Sequence, residues 1–340
     1  MFGRIKRSWA YLFGALFVAF FLLAVYPESL LAADSRIAGS DIYKTAVKIS
    51  EEGWQKADYA VLVRGDDFAD ALCAGPLARK YNAPILFTPR YRLGPTVLDE
   101  LERLKVKKVI IIGGYGAISR NIDSQLRNEG IRDIERIYGE NRYETSVKIA
   151  QRLGSRNIAL CTGEDYADAL SVSAIAALKG WAILLTYPKD LPAVVEQHLR
   201  NYRIENTYLI GGTNAISANI ASQIPYTERF AGANRYATNR LIIDHFAKDL
   251  DFTKVYTAPG EGPNNYVYAL AGVPLAAQTS SPLLLNSSTL PAETAVLLTR
   301  HLKVASEIIA LGDEDVVPSR VLRQYEQCYE QVLRSVFDQE

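Results

Sequence analysis

Sulfur and imidazole are scarce in this chain of 340 residues, which holds one methionine, three cysteines and three histidines. Cys73, Cys161 and Cys328 stand at unrelated places in its internal pattern, so no disulfide framework can be read and they are expected to be small buried apolar groups. His198, His245 and His301 show neither HExxH nor any paired ligand spacing, which leaves a zinc hydrolase without support. There is no GxSxG nucleophile elbow and no dinucleotide fingerprint, so neither a serine hydrolase nor a nucleotide cofactor is indicated. Neither sign of charge prevails, with 38 basic and 38 acidic residues. Setting aside residues 1–33 removes Arg4, Lys6, Arg7 and Glu28 and leaves 35 − 37 = −2. No global field then attracts nucleic acid, and any anion binding must come from a local cluster.

One long apolar run is present, AYLFGALFVAFFLLAVY, preceded by Arg4, Lys6 and Arg7 and followed by Ala32 and Ala33. Residues 1–33 are expected to act as a secretory signal, or as an uncleaved membrane anchor through residues 8–26. Either way the basic end stays inside and the remaining chain faces out.

What fills that remainder is repetition. RIAGSDIYKTAVKIS from Arg36 recurs as RIYGENRYETSVKIA from Arg136 and as RFAGANRYATNRLII from Arg229, intervals of 136 − 36 = 100 and 229 − 136 = 93 residues. That period suits a small domain rather than a solenoid unit. Further motifs keep the register: GDDFADALCAGPLA, GEDYADALSVSAIA and GPNNYVYALAGVPLA; PILFT, AILLT and PLLLN; VIIIGGYGAIS, TYLIGGTNAIS and a degraded EIIALGDEDVVPS. With 49% hydrophobic residues the chain can bury a core in several domains. The divisions expected are 34–135, 136–228 and a degenerate 229–320, with a closing amphipathic helix over 321–340 carrying Val321, Tyr325, Cys328, Val332 and Val336 on one face.

Within one repeat, YAVLVRG, APILFT and KVIIIGG read as strands, and DFADALCAGPLARKY and PTVLDELERLK as helices. Strands that are apolar throughout are expected where helices cover both faces, which predicts a parallel-sheet α/β unit of Rossmann-like form.

Four groups of residues carry candidate chemistry. Asn141, Asn234 and Asp41 fit helix N-caps, with Glu144 completing a capping-box pattern, so the helices should start at Arg142, Arg235 and Ile42. A cation in the first turn opposes the helix dipole. Arg142 and Arg235 are therefore either ligand contacts or ion pairs to an aspartate of a neighbouring repeat; Ile42 in the first copy suggests that the charge is not needed to build the unit. Tyr143 and Tyr236 follow them, suited to a sugar face beside a bound acidic group or to packing helix on sheet. Tyr43 is kept in the altered first copy, and Thr45, Thr145 and Thr238 read as structural. The pairs Asp67/Asp70 and Asp165/Asp168 lie three apart at the carboxyl end of a strand, where open α/β sheets present ligand sites. They either cap the helix or face a ligand, and Asn264, Asn265 and Tyr268 replace them in the third copy. Gly113-Gly114 and Gly211-Gly212 end buried strands, either as tight turns or as a cradle for phosphate, with Ser119 and Ser217 able to cap the next helix.

These tandem motifs make the chain resemble the cell wall binding repeat 2 family of Gram-positive surface proteins, over about residues 36–320. The resemblance implies three Rossmann-like (Toprim-like) units in a pseudo-threefold ring, an extracellular place at the cell wall, and noncovalent attachment to an anionic secondary wall polymer. Arg142, Arg235, Tyr143, Tyr236, both aspartate pairs and both glycine pairs are the residues expected to meet it. The reading is non-catalytic, with no cofactor and no metal. Two other classes compete: a carboxylate-dependent glycan hydrolase or amidase-associated factor, and a membrane-anchored assembly scaffold. Carboxylates three apart on one helix face sit too close, and on the same side, to flank a glycosidic bond, which weighs against the hydrolase.

Overall fold

The computed structural model describes residues 35–262, 264–303 and 306–337; the apolar segment and its basic flank lie outside them. β1 (Arg36–Ile37) and α1 (Ile42–Gly53) come first. There follow β2 (Tyr59–Arg64), a 3₁₀ turn (Ala71–Cys73) running into α2 (Ala74–Lys80), β3 (Ile85–Thr88), α3 (Pro95–Leu104), β4 (Lys108–Ile112), α4 (Arg120–Asn128) and β5 (Asp133–Ile137). The order then recurs as α5 (Arg142–Leu153), β6 (Asn157–Thr162), α6 (Ala167–Lys179), β7 (Ala182–Thr186), α7 (Ala193–Asn201), β8 (Asn206–Ile210), α8 (Ala218–Ala221) and β9 (Thr227–Phe230). A third round brings α9 (Arg235–His245), β10 (Lys254–Pro259), α10 (Tyr266–Gln278), β11 (Leu283–Asn286), α11 (Ala292–His301), β12 (Glu307–Leu311) and α12 (Ser319–Phe337).

The strands form three four-stranded sheets among the described residues, ordered β3-β2-β4-β5, β7-β6-β8-β9 and β11-β10-β12-β1. Every pairing in them is parallel. Val109, Ile110 and Ile111 are fully buried, as expected for a sheet covered on both faces. This is the α/β architecture that the apolar strands predicted, in three lobes.

Helices α2, α6 and α10 pack against one another in all three pairs, one from each lobe, which sets a pseudo-threefold axis. From Tyr266 to Ala277 every residue of α10 is buried, which explains why its sequence lacks a polar face. Each lobe's first helix then packs on the central helix of the lobe before it: α5 on α2, α9 on α6, and α1 on α10. A continuous apolar core runs through all three lobes.

Each sheet takes its edge strand from the segment that opens the next repeat. β1 beside β12, with Arg36 opposite Ala310, joins the beginning of the described chain to the last lobe and closes the ring. The arginine leading each copy fastens that seam. Arg36 donates to the carbonyls of Gly312 and Val317 at 2.9 and 2.8 Å. Arg136 donates to Gly113 and Ser119 at 3.1 and 3.2 Å, and Arg229 to Gly211 and Ile216 at 2.7 and 2.9 Å.

Helix α12 is the counterpart of α4 and α8, drawn out to cover α11. Val321, Tyr325 and Cys328 pack there with Leu297 and Leu298, while the Val336 side chain lies outside the described residues. All three cysteines are buried, and burial pushes the Cys73 and Cys161 thiols up.

Candidate functional site

The candidate residues gather where one lobe meets the next, at the carboxyl ends of the strands. The N-caps form as expected: Asn141 Oδ1 accepts from the backbone of Tyr143 and Glu144 at 3.1 and 3.0 Å, Asn234 Oδ1 from Ala237 at 2.8 Å, and Asp41 Oδ1 from Lys44 at 2.8 Å. Glu144 reaches one residue beyond a true capping box, to the Glu140 N–H at 2.8 Å. Thr45, Thr145 and Thr238 accept from the N–H of Gly39, Gly139 and Gly232 at 3.0, 2.9 and 3.0 Å, which wraps the preceding loop over each helix start.

Those caps aim the two arginines. Arg142 Nη1 donates to the Gly163 carbonyl at 2.5 Å, and its guanidinium carbon lies 5.3 Å from the Phe68 ring centroid of lobe one. Arg235 Nη1 donates to the Gly260 carbonyl at 2.7 Å, its Nη2 lies 3.5 Å from Asp165 Oδ2, and it sits 5.6 Å from the Tyr166 ring. The first copy does not simply dispense with this donor. There the Gly65 carbonyl accepts from the Tyr266 hydroxyl at 3.1 Å, so a tyrosine from lobe three does the structural part of the arginine's work beside Ile42.

The aspartate pairs divide their roles. Asp67 and Asp165 each accept from a backbone N–H two residues on, Ala69 and Ala167, both at 2.9 Å, an Asx turn that shapes the chain ahead of the helix rather than a helix cap. Asp70 and Asp168 turn toward the neighbouring lobe. Burial, chiefly, with help from Asp67, raises the Asp70 carboxyl against the Thr145 hydroxyl bond and the Arg142 charge. Burial first, then the charge of Asp165, push Asp168 up to about 6 although Arg235 opposes them. A raised carboxyl in a cleft marks a functional candidate.

Asp165, Asp168, Gly211, Gly212, Arg235 and Thr238 line a cleft of about 380 Å³ between lobes two and three. Gly113 and Gly211 have φ of +122° and +105°, which a side chain would strain, and a Cβ on Gly211 would collide with Asp168 Oδ2. Their carbonyls are held by Arg136 and Arg229, so these turns are built into the seam; Gly212 lines the cleft, and Gly114 lies under the Tyr138 ring.

Tyr143 is 5% exposed, with its ring over Gly163 of its own lobe and 4.1 Å from that of Tyr187. Tyr236 packs likewise over Gly260. Both rings face inward and hold helix to sheet. At the junction of lobes three and one, Asn265 donates to the Glu261 carbonyl at 2.8 Å, and Tyr268 stands against Gly312 as Asp168 stands against Gly211. A buried aromatic ring fills the place of the carboxylate.

Phe68, Tyr166 and Tyr266 escaped the sequence reading. They occupy the same register in each copy, directly after Asp67, Asp165 and Asn265, and their ring centroids meet pairwise at 5.7 Å on the axis. An aromatic at this place in all three copies was the available signal. Among the described residues, no group of three or more His, Cys, Asp or Glu is placed to hold a metal ion.

Residues 36–123, 136–221 and 229–322 each match the model of Cell wall binding domain 2. The chain belongs to that family. It is 33% identical over 311 residues to the N-acetylmuramoyl-L-alanine amidase LytC of Bacillus subtilis, covering 90% of this chain and 61% of that protein. It is 33% identical to the Bacillus subtilis amidase enhancer over 259 residues, 75% of this chain and 35% of that protein. Among solved structures, Cwp6 from Clostridium difficile superposes with a TM-score of 0.78 at 30% identity, over 86% of this chain and 48% of that one. Cwp8 from the same organism gives 0.79 at 28%, over 88% and 52%. This cell wall binding domain 2 chain thus spans about half the length of those structures and less than two thirds of the curated relatives. Membership in the family places it at the cell wall or cell surface.

Proposed function

We propose that this chain is a non-catalytic attachment protein that holds an anionic secondary polymer of the Gram-positive wall in the clefts between its lobes. Residues 1–33 serve as its export signal, or as a membrane anchor through residues 8–26. The observation that carries the reading is the cleft between lobes two and three, where an anchored arginine faces a positive-φ glycine turn and a half-buried carboxylate. In it Arg235 supplies charge-assisted bonds to phosphate or carboxylate groups. Asp168 accepts from sugar hydroxyls, and Asp165 orients the guanidinium. Arg142 with Asp70 performs the same task between lobes one and two. Support for a non-catalytic role comes from the acidic pairs themselves: one member of each is engaged in an Asx turn, and the two lie three residues apart on the same segment.

The test is sedimentation of the purified protein with Bacillus subtilis wall sacculi, before and after hydrofluoric acid strips their phosphate-linked polymers. Co-sedimentation with intact walls and its loss on stripping is the expected result; equal binding to both contradicts the reading. The two Bacillus relatives favour a second reading, an amidase-associated factor. Acceleration of an added wall amidase by the protein on stripped walls would support that alternative.

A further inference from the structure

The turns after β4, β8 and β12 hold the same place in three lobes but carry different chemistry. Tyr115 follows Gly113-Gly114, Thr213 follows Gly211-Gly212, and the acidic run Asp313-Glu314-Asp315 follows Gly312. The segments opening the next lobe differ too, with Tyr138 after β5 but Ala231 after β9 and Ala38 after β1. The junction of lobes one and two therefore bears an aromatic pair that its two siblings lack. Since those siblings are built without it, the pair is not a requirement of the fold.

Both rings are open to solvent, Tyr115 at 43% and Tyr138 at 39% exposure, and they meet edge to face with centroids 6.2 Å apart. Tyr138 rests on Gly114, so the pair has a rigid footing. The guanidinium carbons of Arg136 and Arg120 lie 4.4 and 4.6 Å from the Tyr115 centroid, and Lys148 Nζ lies 5.8 Å from that of Tyr138. Arg136 is committed to Asp123 and Lys148 to Glu144 at 3.0 Å, whereas Arg120 has no ion-pair partner among the described residues. Beyond Tyr138 a groove of about 560 Å³ runs between β5 and α5, lined by Lys148, Gln151 and Arg152. Its one carboxylate, Glu135, is neutralised by Lys108 and Arg152 at 2.8 and 3.0 Å. On the inner side the same turn faces Asp70, whose carboxylate lies where a side chain on Gly113 would meet it.

Solvent-open aromatic rings flanked by cations are suited to a sugar that carries acid groups: Tyr covers CH faces, and the cations meet phosphate or carboxylate. We propose that this junction carries a saccharide subsite, in which Tyr115 and Tyr138 stack on sugar rings of the wall polymer while Arg120 binds its acidic groups. The subsite rests on the polymer-binding reading above and extends it outward from the lobe one and two cleft. The acidic turn of lobe three repels the same polymer, so the strand crosses the ring at one side.

The test replaces the pair by the residues of the second junction, Tyr115→Thr with Tyr138→Ala, in the full chain. Binding is measured on intact and acid-stripped Bacillus subtilis sacculi, with melting on the same samples. The expected result is an unchanged melting temperature and an affinity for intact walls at least tenfold weaker, with the remaining binding still lost on stripping. A folded variant that binds intact walls as tightly as the wild type overturns the subsite while leaving the cleft reading in place. A wild type that sediments equally with both walls removes both. Should the double variant fail to fold, Arg120→Ala, on the surface of α4, is predicted to weaken binding and flatten its salt dependence; unchanged binding there overturns the proposal equally.

Discussion

Asp168 is the residue at which stability and the proposed ligand binding pull apart. Its carboxyl is raised from an ordinary 3.8 to about 6, so the folded state holds the proton more tightly than the unfolded chain does. Stability conferred by the protonated form is therefore present below the unfolded value and is lost as pH rises through about 6. The ionised form at neutral pH costs about 2–3 kcal/mol, from a shift of about two units. Asp168→Asn is accordingly predicted to melt several degrees higher than the wild type at pH 7.5, with the difference shrinking toward pH 4, and to bind intact wall more weakly. Melting curves across that range check it; a variant less stable than the wild type at pH 7.5 contradicts the assignment. The sequence led to the expectation that two acids share a helix face, whereas Asp67, Asp70 and Asp165 precede their helices, one acid of each pair closing an Asx turn and the other lying half-buried. That division depends on which lobe faces the junction, and no local pattern encodes it.

At the scale of elements, the short β1 matters more than its two residues suggest, because it completes the sheet of lobe three and closes the ring. Arg36 holds it, with a side chain 15% exposed and two carbonyls as partners. Removing such a donor strands partly buried acceptors at about 1–3 kcal/mol. Arg36→Ala is expected to lower the melting temperature by several degrees and to open β12 and α12 to hydrogen exchange before the sheets of lobes one and two. Uniform exchange across all three lobes would show that the closure is not the weak seam. The strands and helices themselves were legible, since apolar runs and amphipathic runs alternate in a fixed order. Their partition among lobes was not. The RIA, RIY and RFA strands read as the start of each repeat, yet each completes the sheet before it, because parallel pairing joins segments far apart in sequence. The role of Ile42 was hidden for the same reason: its replacement donor, Tyr266, lies more than two hundred residues away.

At the scale of the whole molecule, three equivalent junctions have become three different ones. The junction of lobes two and three and that of lobes one and two keep arginine and aspartate, while Tyr268 fills the third. On the proposed reading, a polymer engaged at both arginine–aspartate junctions of one ring binds more tightly than either junction alone would allow. The most direct test is the affinity of Arg142→Gln, of Arg235→Gln and of both together for intact wall sacculi at low and high salt, with melting measured on the same samples. Hydrogen bonds to charged groups contribute about 1.5–3 kcal/mol each. Each single variant should therefore weaken binding at least tenfold, and the double variant at least a hundredfold with a shallower salt dependence than the wild type, while glutamine retains a donor for the glycine carbonyl. A well-folded double variant that binds the wall as tightly as the wild type would contradict the account.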